Sequence, residues 1–82
     1  MDNNMGENDI RVRFGRAVRK RRQELGISQE ELADRAGIHR TYVGDVERGE
    51  RNIALQNIER LAKALSVSIS ILFKKYGVDD ET

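Results

Sequence analysis

The sequence predicts an all-α fold in which five short helices form one small domain. Apolar residues recur at spacings of three and four along most of the chain, which is the helical period. Four glycines (Gly26, Gly37, Gly49 and Gly77) stand where such segments end, and the 82 residues include no proline. A chain of this length supports a single core of modest size.

The two ends of the chain are polar and are expected to lie outside the folded domain. We expect a flexible N-terminal tail over residues 1–9, which resembles neither a signal peptide nor a membrane anchor. The domain is predicted over residues 10–77, and a short acidic tail over residues 78–82. No run of about 18 apolar residues occurs, which excludes a membrane-spanning helix.

The composition favours a binding protein over an enzyme. The chain has no cysteine, which excludes disulfides and thiolate zinc sites and fits a reducing cytoplasm. His39 is the one histidine, and a metal site needs several ligands. No serine has a plausible base, and no glycine-rich phosphate loop is present. We therefore expect no metal, no cofactor, no small-molecule ligand and no catalytic activity.

Helix 1 is predicted from Ile10 to Leu25, and its inner face is formed by Ile10, Phe14, Ala17, Val18 and Leu25. Arg22 interrupts that face, and a charge there must be paired or reach solvent. We predict an ion pair between Arg22 and Glu47 that locks helix 1 against helix 3. The alternative is that the Arg22 side chain extends to water.

Helices 2 and 3 are predicted over residues 29–36 and 40–48. Ser28 is a suitable N-cap, and Glu31 three residues later completes a capping box. Gly37 allows the left-handed conformation that ends a helix. A helix, a glycine turn and a second helix make a helix-turn-helix, whose second helix can enter the major groove of DNA.

Helices 4 and 5 complete the predicted fold. Helix 4 is expected over residues 55–65, with an inner face formed by Leu55, Ile58, Ala62 and Leu65. Ser68 is the expected N-cap of helix 5. The apolar residues that we expect helix 5 to point inward are Ile69, Leu72, Phe73 and Tyr76.

Ile71 lies off that inward stripe, close to Val67, and suggests a second apolar surface. We predict an isologous homodimer interface, because one reading helix contacts too few base pairs for useful discrimination. Its candidate residues are Leu65, Val67, Ile71 and Phe73. The alternative is that these residues complete the core of the single chain.

Basic residues are concentrated in one helix although the net charge is only +1. Seven basic residues and no acid occur between Arg11 and Arg22. Such a block is what a phosphate backbone requires of a partner. The alternative is a solvated helix face.

The five-helix layout and the stretch from Ser28 to Gly49 resemble the lambda-repressor-like family of helix-turn-helix domains, which includes phage repressors and Cro. Within that family, the sequence is most similar to the controller proteins of bacterial restriction–modification systems at Arg40–Tyr42, Glu47–Gly49 and Arg51–Asn52. The resemblance implies a homodimer that binds a palindromic operator with helix 3 in the major groove. It also implies the buried pair of Arg22 with Glu47.

Four residues of helix 3 are candidates for contacts with bases. Arg40 can donate two parallel hydrogen bonds to guanine O6 and N7. Thr41 and Tyr42 follow it on the same turn. Asp45 could accept from cytosine N4. Because phosphates repel a carboxylate, a structural role, or a role in disfavouring wrong partners, is equally consistent.

Seven further residues are candidates for contacts with the DNA backbone, which set register and much of the affinity. They are Ser28, Gln29, Arg35, His39, Arg48, Arg51 and Asn52. The alternative for Arg35 is a helical ion pair with Glu31, and the alternative for Arg51 and Asn52 is an ordinary turn.

The predicted function is that of a sequence-specific transcriptional regulator, by resemblance the controller protein of a restriction–modification system. The expected partners are a double-stranded DNA operator and a second copy of the chain, with RNA polymerase as a further candidate and no membrane. The alternative is an antitoxin-like or other protein-interaction module that retains the fold. RNA binding is a weaker alternative, because it usually needs exposed stacking aromatics.

Overall fold

The computed structural model describes residue 6 and residues 9–79, and within them the protein is all-α. Its five helices are α1 (Ile10–Leu25), α2 (Gln29–Ala36), α3 (Arg40–Glu47), α4 (Leu55–Ala64) and α5 (Ile69–Lys75). The predicted fold class is confirmed, and α3 and α4 each end one residue before the predicted position. Of the tails predicted over residues 1–9 and 78–82, residues 1–5, 7, 8 and 80–82 lie outside the described residues.

Local signals in the sequence account for the ends of the helices. The Ser28 hydroxyl accepts a hydrogen bond from the Glu31 backbone N–H at 3.0 Å. Gly26 and Gly37 cap the C-terminal ends of α1 and α2 in the left-handed region, at φ 70° and 71°. The Glu31 carboxylate binds Arg35 at 2.9 Å, so the predicted capping box forms only through Ser28.

All five helices contribute to one hydrophobic core. Its fully buried large side chains are Val18, Leu32, Val43, Val46, Leu61, Leu65, Leu72 and Val78. Full burial of such a side chain contributes roughly 1.5–3 kcal/mol, so these residues are the main source of stability. The core holds α3 against α1 and α2, which presents the opposite side of α3 to solvent.

Three residues that the helical period placed inside are exposed, and this part of the prediction is wrong. Ile10 is 53% exposed, Leu55 is 76% exposed and Ile69 is 38% exposed. Each is the first residue of its helix. The helical period correctly predicts which face of each helix points inward. At the first residue of these helices, however, no neighbouring element extends far enough to cover that face.

The folded part is slightly longer at both ends than predicted. The Asp9 side chain accepts a hydrogen bond from the Arg11 N–H at 2.9 Å and caps α1. Val78 is completely buried, and its carbonyl accepts from Arg13 Nε at 2.7 Å. Asp9 and Val78 therefore belong to the domain, which corrects the boundaries predicted at residues 10 and 77.

Much of the basic block of α1 holds the fold together. Arg11 binds Asp9 at 2.7 Å, and Arg13 reaches the carbonyl of Val78. Arg21 Nε donates to the Leu65 carbonyl at 2.9 Å. Three of the seven basic residues of the block therefore also make contacts that hold the fold together.

Candidate nucleic-acid interface

The N-terminal ends of α2 and α3 enclose a polar groove of about 600 Å³. Its lining residues are Arg22, Ser28, Gln29, Glu30, Arg40, Thr41, Gly44 and Arg48. The groove thus gathers predicted base-contact and backbone-contact residues from both helices of the helix-turn-helix.

Glu47, the last residue of α3, joins three helices. Its carboxylate accepts hydrogen bonds from Arg22 Nε at 2.6 Å and Nη2 at 2.9 Å. It also accepts one from the Gln29 side-chain amide at 2.9 Å. The Glu47 side chain is only 4% exposed and that of Arg22 is 13% exposed. The predicted ion pair therefore forms, and its hydrogen bonds raise the pKa of Arg22.

Gly15 sets the distance between α1 and α3, and the sequence analysis did not identify it. A Cβ atom at this position would overlap the backbone carbonyl of Val46 and lie 2.8 Å from the carbonyl oxygen of Glu47. Only glycine permits this approach of the two helices. A glycine within an otherwise helical pattern was the available signal.

The first turn of α3 presents two predicted base-contact residues to solvent. Arg40 and Thr41 are both exposed, and the Arg40 side chain is 66% exposed. Arg40 Nη1 lies 3.7 Å from a Glu30 carboxylate oxygen. His39 Nδ1 accepts from the Thr41 N–H at 3.1 Å, so His39 caps the helix from the position where a phosphate contact was predicted.

Tyr42 is half buried and held on two sides. Its hydroxyl accepts a hydrogen bond from Asn57 Nδ2 at 3.1 Å. The guanidinium of Arg51 lies over its ring, 4.8 Å from the centroid, in a cation–π contact. Tyr42 thereby orients Arg51 in addition to any contact that it offers to DNA.

Asp45 is occupied by two arginines. Arg48 Nη2 donates to one carboxylate oxygen at 2.6 Å, and Arg51 Nε donates to the other at 3.2 Å. The Asp45 side chain is only 21% exposed. Because both of its carboxylate oxygens are already occupied, this geometry disfavours acceptance from cytosine.

The remaining backbone-contact candidates lie around α3 and α2. Arg48 binds Glu50 at 3.1 Å as well as Asp45, and these carboxylates raise its pKa, Glu50 most strongly. Asn52 is exposed in the loop before α4. Arg35 forms the ion pair with Glu31 that was its alternative interpretation, and both side chains are exposed.

The predicted dimer surface is smaller than expected, because only part of it is exposed. Leu65 is completely buried, because the chain turns at Ser66 (φ 59°) and directs Leu65 into the core. Phe73 is half buried, and the centroid of its ring lies 5.7 Å from the centroid of the Phe14 ring. Ile71 remains 43% exposed, whereas Val67 is half buried against the core, so Ile71 is the most exposed residue of the predicted set.

The part of the chain that the structure describes contains no cluster of three or more His, Cys, Asp or Glu side chains that could hold a metal ion. It also contains no helix long and apolar enough to cross a membrane.

Comparison with known proteins identifies the family. Residues 18–72 match the helix-turn-helix family. The chain is 51% identical over 61 residues to Control protein C.BamHI of Bacillus amyloliquefaciens, covering 73% of this chain and 75% of that protein.

Solved structures give the same result. The crystal structure of the restriction–modification controller protein C.AhdI from Aeromonas hydrophila has a TM-score of 0.75 and 49% identity, covering 77% of this chain and 96% of that chain. The controller protein C.Esp1396I, solved as a tetramer with its natural 35-base-pair operator, has a TM-score of 0.77 and 31% identity, covering 82% and 88%.

This chain belongs to the helix-turn-helix family. Within the family it is similar to the controller proteins of restriction–modification systems, which confirms the predicted resemblance.

Proposed function

We propose that this protein is a sequence-specific transcriptional regulator that binds a palindromic DNA operator as a homodimer, in the manner of a restriction–modification controller protein. The observation that carries the proposal is the exposure of Arg40 and Thr41 on α3, whose far end is anchored by Glu47 to Arg22. An exposed reading end on a rigidly held helix is what base recognition requires.

In the proposed complex the first turn of α3 enters the major groove. Arg40 leaves its 3.7 Å contact with Glu30 and donates two hydrogen bonds to a guanine edge, while Thr41 meets the neighbouring base. The N-terminal end of α2 directs its unpaired N–H groups at a phosphate. Arg48, Arg51 and Asn52 contact phosphates beyond the other end of α3.

Dimerisation through Ile71 and its neighbours on α5 would place two reading helices about one helical turn, or about 10 base pairs, apart. The tetramer of C.Esp1396I on its operator supports adjacent binding of two dimers. Occupancy of the operator would then depend on protein concentration. Contact with RNA polymerase at the promoter and a cytoplasmic location are part of this proposal.

The test is selection of bound duplexes from a random DNA pool at near-physiological salt. We expect enrichment of a palindrome with half-sites about one helical turn apart. If no sequence is enriched and binding disappears steeply with added salt, only phosphate attraction is present. That result would overturn the proposal and favour the protein-interaction alternative.

A further inference from the structure

We call the surface formed by α2, α3 and the loop after α3 the proposed DNA face. Four arginines of this face are bound to carboxylates of the same face. The pairs are Arg35–Glu31 at 2.9 Å, Arg40–Glu30 at 3.7 Å, Arg48–Asp45 at 2.6 Å, Arg48–Glu50 at 3.1 Å and Arg51–Asp45 at 3.2 Å. Four cations are thus matched by four anions. The surface carries alternating charges where a phosphate-binding protein would be expected to carry a uniformly positive field.

Stability of the fold does not account for this arrangement. The side chains of Arg40 and Glu30 are 66% and 69% exposed, and those of Arg48 and Glu50 are 57% and 55% exposed. Exposed ion pairs contribute little to folding because water screens them and both side chains lose freedom. The more deeply placed pair of Arg22 and Glu47 already anchors α3.

The carboxylates have a stronger effect on DNA. Non-specific binding comes almost entirely from attraction between cations and phosphates, whatever the base sequence. A uniformly basic face attracts phosphates in any register, whereas an alternating face attracts them only where they meet arginines and avoid carboxylates. Like charges placed against each other disfavour the wrong arrangement.

We propose that Glu30, Glu31, Asp45 and Glu50 set the sequence selectivity of this protein, by weakening its binding to non-operator DNA more than its binding to the operator. In the operator complex, Arg40 exchanges Glu30 for guanine. Arg48 has further N–H donors for phosphate while it shields Asp45. When the DNA is shifted along this face, its phosphates lie against the carboxylates, and these arginine contacts no longer offset the repulsion.

This inference rests on the proposed function, and the experiment separates the two. The variants are the quadruple Glu30→Gln, Glu31→Gln, Asp45→Asn, Glu50→Gln and the triple that retains Asp45. Glu59→Gln on α4 is the matched control, because Glu59 is exposed and belongs to none of the five pairs. The Kd is measured for the palindrome recovered from the random pool and for a scrambled duplex of equal length, over a series of salt concentrations.

We expect the quadruple variant to bind the scrambled duplex about tenfold or more tightly than the wild type, with a steeper salt dependence. Its affinity for the palindrome should rise by less than about threefold, so selectivity falls. The triple variant should show the same change to a smaller degree, and Glu59→Gln should show none. Thermal unfolding confirms that each variant is folded.

Two results would overturn the inference. One is an equal rise of the affinities for the palindrome and for the scrambled duplex, which leaves selectivity unchanged. The carboxylates would then weaken binding to all DNA to the same degree. The other is an equal loss of selectivity in Glu59→Gln, which would mean that the change in net charge alone causes the effect. If the wild type itself does not prefer a palindrome, the proposed function fails first, and this inference fails with it.

Discussion

The carboxylate of Glu47 binds Arg22 of α1 at 2.6 and 2.9 Å and Gln29 of α2 at 2.9 Å. The C-terminal end of α3 is therefore fixed to both helices behind it, while Arg40 at its other end faces solvent. The C-terminal end of α3 is thus held rigidly, and its N-terminal end is exposed for the proposed contacts with bases.

Replacing Glu47 tests that anchor. We expect Glu47→Ala to lower the free energy of unfolding by about 3–5 kcal/mol, because it leaves the largely buried Arg22 charge without its partner. Denaturant unfolding followed by circular dichroism measures the change. Arg35→Ala is the control, since the exposed Arg35–Glu31 pair should contribute no more than about 0.5 kcal/mol. Equal losses in the two variants would contradict the anchoring role.

Gly15 should be intolerant of even one additional methyl group. Gly15→Ala forces the Cβ against the backbone of Val46 and Glu47, and we expect a loss of about 1–3 kcal/mol of unfolding free energy. Gly44→Ala is the matched control, because the nearest atom to its Cβ would be the flexible Arg48 Nη1 at 3.3 Å. Gly44→Ala should be close to neutral, because the preference of alanine for the helix, about 1 kcal/mol, offsets the small shift required of Arg48. A similar loss in both would mean that the close contact of α1 and α3 is not the cause.

The two ends of the proposed DNA face should respond differently to mutation. Arg40→Ala should weaken operator binding by about 1–3 kcal/mol and relax the base preference at one position. Arg51→Ala should weaken binding to all sequences and reduce the salt dependence, because Arg51 is proposed to contact phosphate. Binding to a panel of singly substituted operators at several salt concentrations separates these effects. An unchanged base preference in Arg40→Ala would show that α3 is not the reading element.

The exposed surface of α5 should control self-association. Ile71 is 43% exposed, so we expect Ile71→Glu to leave the fold intact while its charge opposes burial in a dimer interface. Sedimentation over a range of concentrations should show a monomer where the wild type is a dimer. Leu55→Glu provides the control, because Leu55 is more exposed, at 76%, and lies on α4. Loss of the dimer in the control alone would place the interface at α4.

Asp9 links the stability of α1 to pH. Hydrogen bonds from Arg11 lower the pKa of Asp9 from 3.8 to about 2. Its ionised form therefore stabilises the folded state above about pH 3.8, and this contribution disappears as the pH falls through about 2.

Asp9→Asn keeps a capping acceptor but removes this titration. The wild type should exceed Asp9→Asn in Tm at pH 5, and the difference should shrink towards pH 2. A difference that is constant with pH would mean that Asp9 acts only as a neutral cap.

Several parts of the interface were predictable because they depend on spacing within a helix. Arg22 interrupts an apolar stripe, which is enough to require a partner, and Glu47 is that partner. Arg40 and Thr41 follow the turn and are exposed as the helix-turn-helix pattern predicts. The ion pairs of Asp45 with Arg48 and Arg51 were not predicted, because several rotamers satisfy the same spacing.

The sequence by itself determined where α2 begins and ends, since the Ser28 cap and the left-handed Gly37 each act within about one helical turn. Only the tertiary structure decided which apolar residues are covered. Leu65 and Val78 are buried while Ile10 and Leu55 are exposed, although all four are apolar. Burial depends on how far distant elements extend, and helical period contains no information about that distance.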